Sequence, residues 1–82
     1  MTLAEILEKV KTEHSAAFLK HGPWRELPDD EQQTAIMSEV LEALNAKDSG
    51  DIHGEHGEIR EWIQVMTVAA RRIMAITGEF DA

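Results

Sequence analysis

The chain contains no cysteine, which excludes a disulfide frame, a thiolate nucleophile and a cysteine-ligated zinc site and fits an intracellular, cytoplasmic setting. Basic residues are scarce: 8 Lys plus Arg stand against 16 Asp plus Glu, a formal charge of -8. A phosphate-backbone binder carries a basic footprint, so nucleic acid is not an expected partner. No segment approaches the ~18 apolar residues of a membrane span, and the start, with Glu5 and Glu8 and no long apolar run, does not read as a signal peptide. No membrane association is therefore expected. Proline occurs only twice, as Pro23 and Pro28, both in one short stretch.

What is present is helical periodicity. Thr2 followed by Glu5 forms a capping-box pattern, and Leu3, Ile6, Leu7, Val10, Ala17 and Phe18 recur at helical spacing, which predicts a helix over about Leu3 to Lys20. Gly22, Pro23 and Pro28 break it, with Trp24 and Leu27 expected to pack over the helix ends. Asp29 or Asp30 starts a second helix running to about Ala46. Lys47 to Gly57 has the composition of a loop, with Gly50, Gly54, Asp48, Asp51, His53 and His56. A third helix follows over about Glu58 to Thr77, with Ile59, Trp62, Ile63, Met66, Ala69, Ala70, Ile73 and Met74 as its expected core face and Gly78 as its stop. Nothing reads as a strand or a repeat, so residues 1–82 are expected to form one all-α domain of three helices.

At 82 residues such a domain buries only about 60% of its unfolded surface. The second helix is apolar over more than the ~100° stripe that one neighbour covers, through Ile36, Met37, Val40, Leu41, Ala43 and Leu44. A helical bundle completed by homo-oligomerisation, as a dimer or tetramer, is the expected architecture.

Two glutamate pairs carry the chemistry: Glu39 with Glu42 and Glu58 with Glu61. Residues three apart lie about 60° from each other on a helix face, so each pair aims both carboxylates at one region. On a helical wheel Glu39 falls between Ala43 on one side and Ala35 and Ala46 on the other. Glu61 falls between Val65 and Val68, and Glu58 lies beside Val65 and Ala69. Carboxylates bordering packed surface are costly unless something positive lies between them, and a divalent cation with oxygen ligands would supply that charge. The plain alternative is that the glutamates reach water from the edges of a core. His53 and His56 are expected to be merely exposed. Arg71 is expected to offset the negative end of the third helix. Arg72, on the same side as Glu61, is a candidate for substrate oxygens. Trp62 and Trp24 are expected in the core, and no Ser-His-Asp set, P-loop or dinucleotide-binding glycine pattern occurs.

The string Met37-Ser-Glu-Val-Leu-Glu-Ala-Leu44, followed after a glycine-containing loop by Ile59-Arg-Glu-Trp-Ile-Gln-Val-Met-Thr-Val-Ala-Ala70, resembles the MazG-like nucleotide pyrophosphohydrolases, in particular the short phage-type branch. That superfamily is all-α and carries Glu-x-x-Glu on one helix and Glu-x-x-Asp on the next. The resemblance implies Mg²⁺, with Mn²⁺ as a substitute, at a site completed by oligomerisation, and hydrolysis of nucleoside triphosphates to monophosphate and pyrophosphate. It covers about Lys20 to Ile73. Residue by residue, Glu39 and Glu42 take the first pair, Glu61 opens the second, and Gln64 stands at the Asp position. Ser38 replaces one of the usual doubled glutamates. On the wheel Gln64 lies toward Arg60 and Arg71, so Glu58 is the alternative fourth ligand. Glu42 is the candidate general base. Lys20-His-Gly22 resembles the Lys-Trp-Gly that precedes the motif, which makes Lys20 a candidate for substrate binding, with Trp24 or Phe18 near the base. The competing expectation is a non-catalytic helical interaction module on the same scaffold.

Overall fold

Thr2 opens the first helix with a reciprocal pair of hydrogen bonds: its hydroxyl accepts from the Glu5 N–H at 3.2 Å, and the Glu5 carboxylate accepts from the Thr2 N–H at 3.3 Å. In the computed structural model, which describes residues 1–79, this capping box starts α1, Leu3–His21. The helix ends where Gly22 takes φ 73° and its N–H bonds to the Phe18 carbonyl. A single 3-10 turn, Trp24–Glu26, leads to α2, Asp29–Ser49, and a loop leads to α3, Glu58–Thr77. No strand occurs among the described residues, and no helix among them is long and apolar enough to cross a membrane.

Local chemistry explains the boundaries. Pro28 precedes α2, and Asp29, Asp30 and Glu31 crowd its first turn, where the helix dipole favours negative charge. The expected aspartate cap is absent, because Pro28 occupies that place and no side chain caps the helix. Gln32 instead ties the connection down from within the helix, its amide donating to the Trp24 and Leu27 carbonyls, both at 2.8 Å. At the other end α2 runs past Ala46 to Ser49, since Lys47 and Asp48 sustain a helix until Gly50 adopts the left-handed conformation. The following loop folds on itself: the Asp51 carboxylate accepts from the Gly54 N–H at 2.9 Å, and the Glu58 N–H reaches back to the Asp51 carbonyl at 2.8 Å. A Cβ on Gly57 would stand 2.7 Å from the Gly54 nitrogen, so only glycine fits there.

α3 is the central helix, with α1, α2 and the 3-10 turn all packed on it. Its buried residues are Glu61, Ile63, Thr67, Val68 and Arg71. This corrects the expected core face. Ile63 is buried, but Trp62, Met66, Ala69 and Ile73 point outward and continue to Ile76. Steps of four, three, four and three residues separate them, the spacing of a coiled-coil seam. A wheel finds the apolar stripe without saying who meets it, and within one chain the neighbours of α3 lie on its other side.

α2 repeats the pattern. Small residues, Ala43 and Ala46, are buried on it, which lets another backbone approach closely, while Met37 and Leu41 remain 62% and 60% exposed. Val10 of α1 completes the short roll of buried apolar residues, and among the described residues no large side chain is fully buried.

Candidate functional site

Packing α2 on α3 brings Glu39 and Glu42 of one helix opposite Glu61 of the other. One carboxylate oxygen from each lies within 4.8 Å of the others. Glu61 is 7% exposed, Glu39 half-buried and Glu42 open to solvent. Position on the helix helps Glu61, because the first turn of α3 presents its positive dipole end to the carboxylate. His56, held on the loop just before α3, brings Nδ1 to 3.5 Å from Glu61 Oε1.

A third wall comes from α1. Glu13 accepts from the Gln64 amide at 2.9 Å through one oxygen and pairs with Arg60 at 3.1 Å through the other. Because that carboxylate can only accept, the Gln64 NH₂ must face it, which leaves the Gln64 oxygen free to point elsewhere. Glu39, Glu42, Glu55, His56, Arg60, Glu61 and Gln64 together line a cleft of about 180 Å³. A larger cleft of about 670 Å³ adjoins it, with Glu39 and Gln64 shared between the two and Trp24, Leu27, Val68 and Arg71 among its walls.

Crowding is visible in the protonation of Glu39. Burial first, then the charge of Glu42, a hydrogen bond shared with Glu42, and the charge of Glu61 push its pKa up from 4.5 to about 6. Three carboxylates this close resist being ionised together. An acid whose pKa is raised by folding binds its proton more tightly in the folded chain. Its contribution to stability is therefore present at low pH and lost as pH rises from about 4.5 through about 6. One pKa unit is worth about 1.4 kcal/mol, and solvent screening at this half-buried group brings the whole effect to roughly 1 kcal/mol. Thermal melts in EDTA should therefore show Glu39→Gln closing part of the gap between about pH 5 and about pH 7.5, the wild-type chain losing more on the alkaline side. An identical pH response in the two proteins would remove the case for a crowded cluster.

The other candidate residues lie as follows. Glu58 is outside the three-carboxylate group: its carboxylate accepts from the Trp62 indole N–H at 2.9 Å, one turn along α3. Trp62 is accordingly half-open to solvent rather than core. Gln64, placed by the wheel on a polar side, lines both clefts. Arg72 donates to Asp29 at 2.9 Å and to Gln32 at 2.7 Å, which clamps α3 to the start of α2. Lys20 is exposed in the last turn of α1 and lines neither cleft, whereas Trp24 lines the larger one. Arg71 does not serve the helix end. It is 4% exposed, donates to the Gly22 carbonyl at 2.7 Å and places its guanidinium 5.6 Å from the Trp24 ring centre.

No sequence signal marks Glu13 as a neighbour of the site, and Arg60 stands out only as lying beside Gln64 on the polar side of the wheel. Glu13 lies 51 residues from Gln64 and stands among other charged residues of α1, so no spacing pattern points to it. Comparison with known protein families, with curated proteins and with solved structures found no match to this chain.

Proposed function

We propose that the chain is a Mg²⁺-dependent pyrophosphohydrolase that splits nucleoside triphosphates into monophosphate and pyrophosphate. The observation that carries this reading is the convergence of Glu39, Glu42 and Glu61 beside a cleft of small-molecule size. The donor set suits a hard divalent cation: Glu39, Glu42 and Glu61 would each offer a carboxylate oxygen, and these lie within 4.8 Å of one another. A bound Mg²⁺ or Mn²⁺ would supply the positive charge that binds phosphate oxygens and offsets the negative charge of the leaving pyrophosphate.

The protein's own residues then divide the work. Glu61 and Glu39, the more buried carboxylates, anchor the site, and Gln64 adds at most a neutral oxygen. Glu42, the most open of the three, would accept a proton from the attacking water. That water forms the new bond to the α-phosphorus, and the bond to the bridging oxygen of pyrophosphate breaks. Pyrophosphate release from a panel of the common ribo- and deoxyribonucleoside triphosphates, with each metal, tests the assignment. If none turns over while the helices remain intact, the reading fails.

The working form in this proposal is a homo-oligomer, a dimer or a tetramer. Its support is the pair of outward apolar stripes, Trp62, Met66, Ile73 and Ile76 on α3 and Met37, Leu41 and Leu44 on α2, which a lone chain leaves in water. Light scattering at micromolar concentration should give a mass at least twice 9.2 kDa, and Met66→Glu should lower it. A monodisperse 9.2 kDa species would rule the oligomer out.

These stripes also favour the second reading, a non-catalytic helical interaction module. Gln64 supports it as well, since a neutral side chain engaged with Glu13 replaces an expected acid. The two readings part on metal dependence, which the interaction module does not require.

A further inference from the structure

Glu61 is a buried carboxylate without a donor. Its side chain is 9% exposed, it accepts no hydrogen bond among the described residues, and its one ion-pair neighbour there is His56, a ring that is neutral unless protonated. A carboxylate buried so far is costly unless a cation meets it. Glu39 and Glu42 add to the demand, since an oxygen of each lies within 4.8 Å of an oxygen of Glu61.

The group nearest to Glu61 on the loop side is a nitrogen. His56 Nδ1 stands 3.5 Å from Glu61 Oε1, and His56 lines the same small cleft as the three glutamates. Its backbone is held on both sides: the Gly54 N–H donates to the Asp51 carboxylate and the Gly57 N–H to the Gly54 carbonyl, each at 2.9 Å. The imidazole is 86% exposed, so it turns about its two side-chain bonds without disturbing the core. His53, on the same loop, lines a different cleft with Met1, Lys9 and Ile52. The loop thus delivers one of its two histidines to the carboxylates.

A nitrogen donor changes which ion the set suits. Mg²⁺ takes carboxylates and water, whereas divalent first-row transition ions also bind imidazole well. We propose that His56 is the nitrogen ligand of this centre, through Nδ1, and that it makes the site prefer a divalent first-row transition ion to Mg²⁺. Mg²⁺ still binds, through the carboxylates alone. The inference rests on the metal reading given above for this site, but it concerns the ion alone and needs neither nucleotide nor turnover.

The metals by themselves test it. The full chain, stripped with EDTA and exchanged into metal-free buffer, is titrated with Co²⁺, followed by visible absorption and proton NMR, and with Mg²⁺, followed by its competition against Co²⁺. Wild type should bind one Co²⁺ at least about tenfold more tightly than Mg²⁺ and show an exchangeable imidazole N–H signal displaced by the paramagnetic ion. His56→Ala should lose that signal and at least about tenfold in Co²⁺ affinity, the scale of removing a group that supports a metal. Its Mg²⁺ affinity should stay within about twofold of wild type, and His53→Ala should match wild type throughout. A wild-type spectrum without the imidazole signal overturns the proposal before any variant is made. So does a signal that survives in His56→Ala, or an equal loss of Co²⁺ and Mg²⁺ affinity there, which would mean that the loop merely supports the glutamates. Selectivity through His56 without pyrophosphate release would sink the proposed activity and leave this inference standing. Pyrophosphate release in Mg²⁺ with no part for His56 in binding Co²⁺ would do the reverse.

Discussion

Glu61→Gln should reduce pyrophosphate release by at least ~10²-fold, the scale of removing one electrostatic stabiliser of a transition state, while Gln64→Ala should cost clearly less. The difference follows from what each side chain holds. Glu61 is buried at the first turn of α3 and supplies one of the three clustered oxygens, so replacing it takes a full charge from the site. Gln64 is neutral and its amide is engaged with Glu13, so alanine there loosens a wall without discharging the centre. Measuring the rates of both variants on the best nucleoside triphosphate, with circular dichroism to verify the fold, decides between the roles. Equal losses in the two would mean that α3 merely needs its native surface. Gln64→Asp adds a companion result. The shorter acid would lose the bond to Glu13 and bring a second negative charge near it, with Arg60 the adjacent cation. If activity appears only in that variant, the natural chain is a scaffold that has lost its chemistry.

Mg²⁺ should raise the melting temperature substantially. A ligand that binds only the folded chain stabilises it by RT ln(1 + [L]/Kd), about 2.7 kcal/mol at a metal concentration of 100 Kd. For a domain of this size that corresponds to a shift on the order of 10 to 20 °C. Glu39→Gln should abolish the shift, whereas Glu8→Gln should keep it, because Glu8 is exposed on α1 and faces Lys11 at 3.9 Å. The two variants should also differ without metal. Removing the Glu39 charge relieves the cluster, so at about pH 7.5 that variant should melt no lower than wild type. The metal effect should shrink below about pH 6, where protons compete for Glu39. A shift of the same size in wild type, Glu39→Gln and Glu8→Gln would identify general ionic screening of an acidic chain.

Helix positions were legible in the linear chain because their causes are local. The Thr2 and Glu5 cap, the Gly22 and Pro23 break, and the Gly57 and Gly78 flanks each act within a turn of where they stand, and they delimit α1 and α3 to within a residue. The all-α class follows from the same periodicity. So does the side-by-side placement of Glu39 with Glu42 on one helix, which needs only the helical repeat. The end of α2 was the exception, since Lys47, Asp48 and Ser49 are neutral between helix and loop until Gly50 ends the matter.

Tertiary structure decided everything that depends on which face of a helix meets which neighbour. A hydrophobic wheel treats Trp62, Met66 and Ile73 as core because it counts apolarity alone; the folded chain turns them outward and buries Glu61, Thr67 and Arg71 instead. That choice draws Glu61 into the carboxylate cluster, leaves Glu58 with Trp62, and sends Arg72 to α2 rather than to the site. Glu13 with Gln64, 51 residues apart, and Arg71 with Gly22, 49 apart, are partnerships of the same kind. Helical repeat is a short-range property written into neighbouring residues, whereas these contacts arise from packing α1 and α2 onto α3, where distance along the chain carries no information about distance in space.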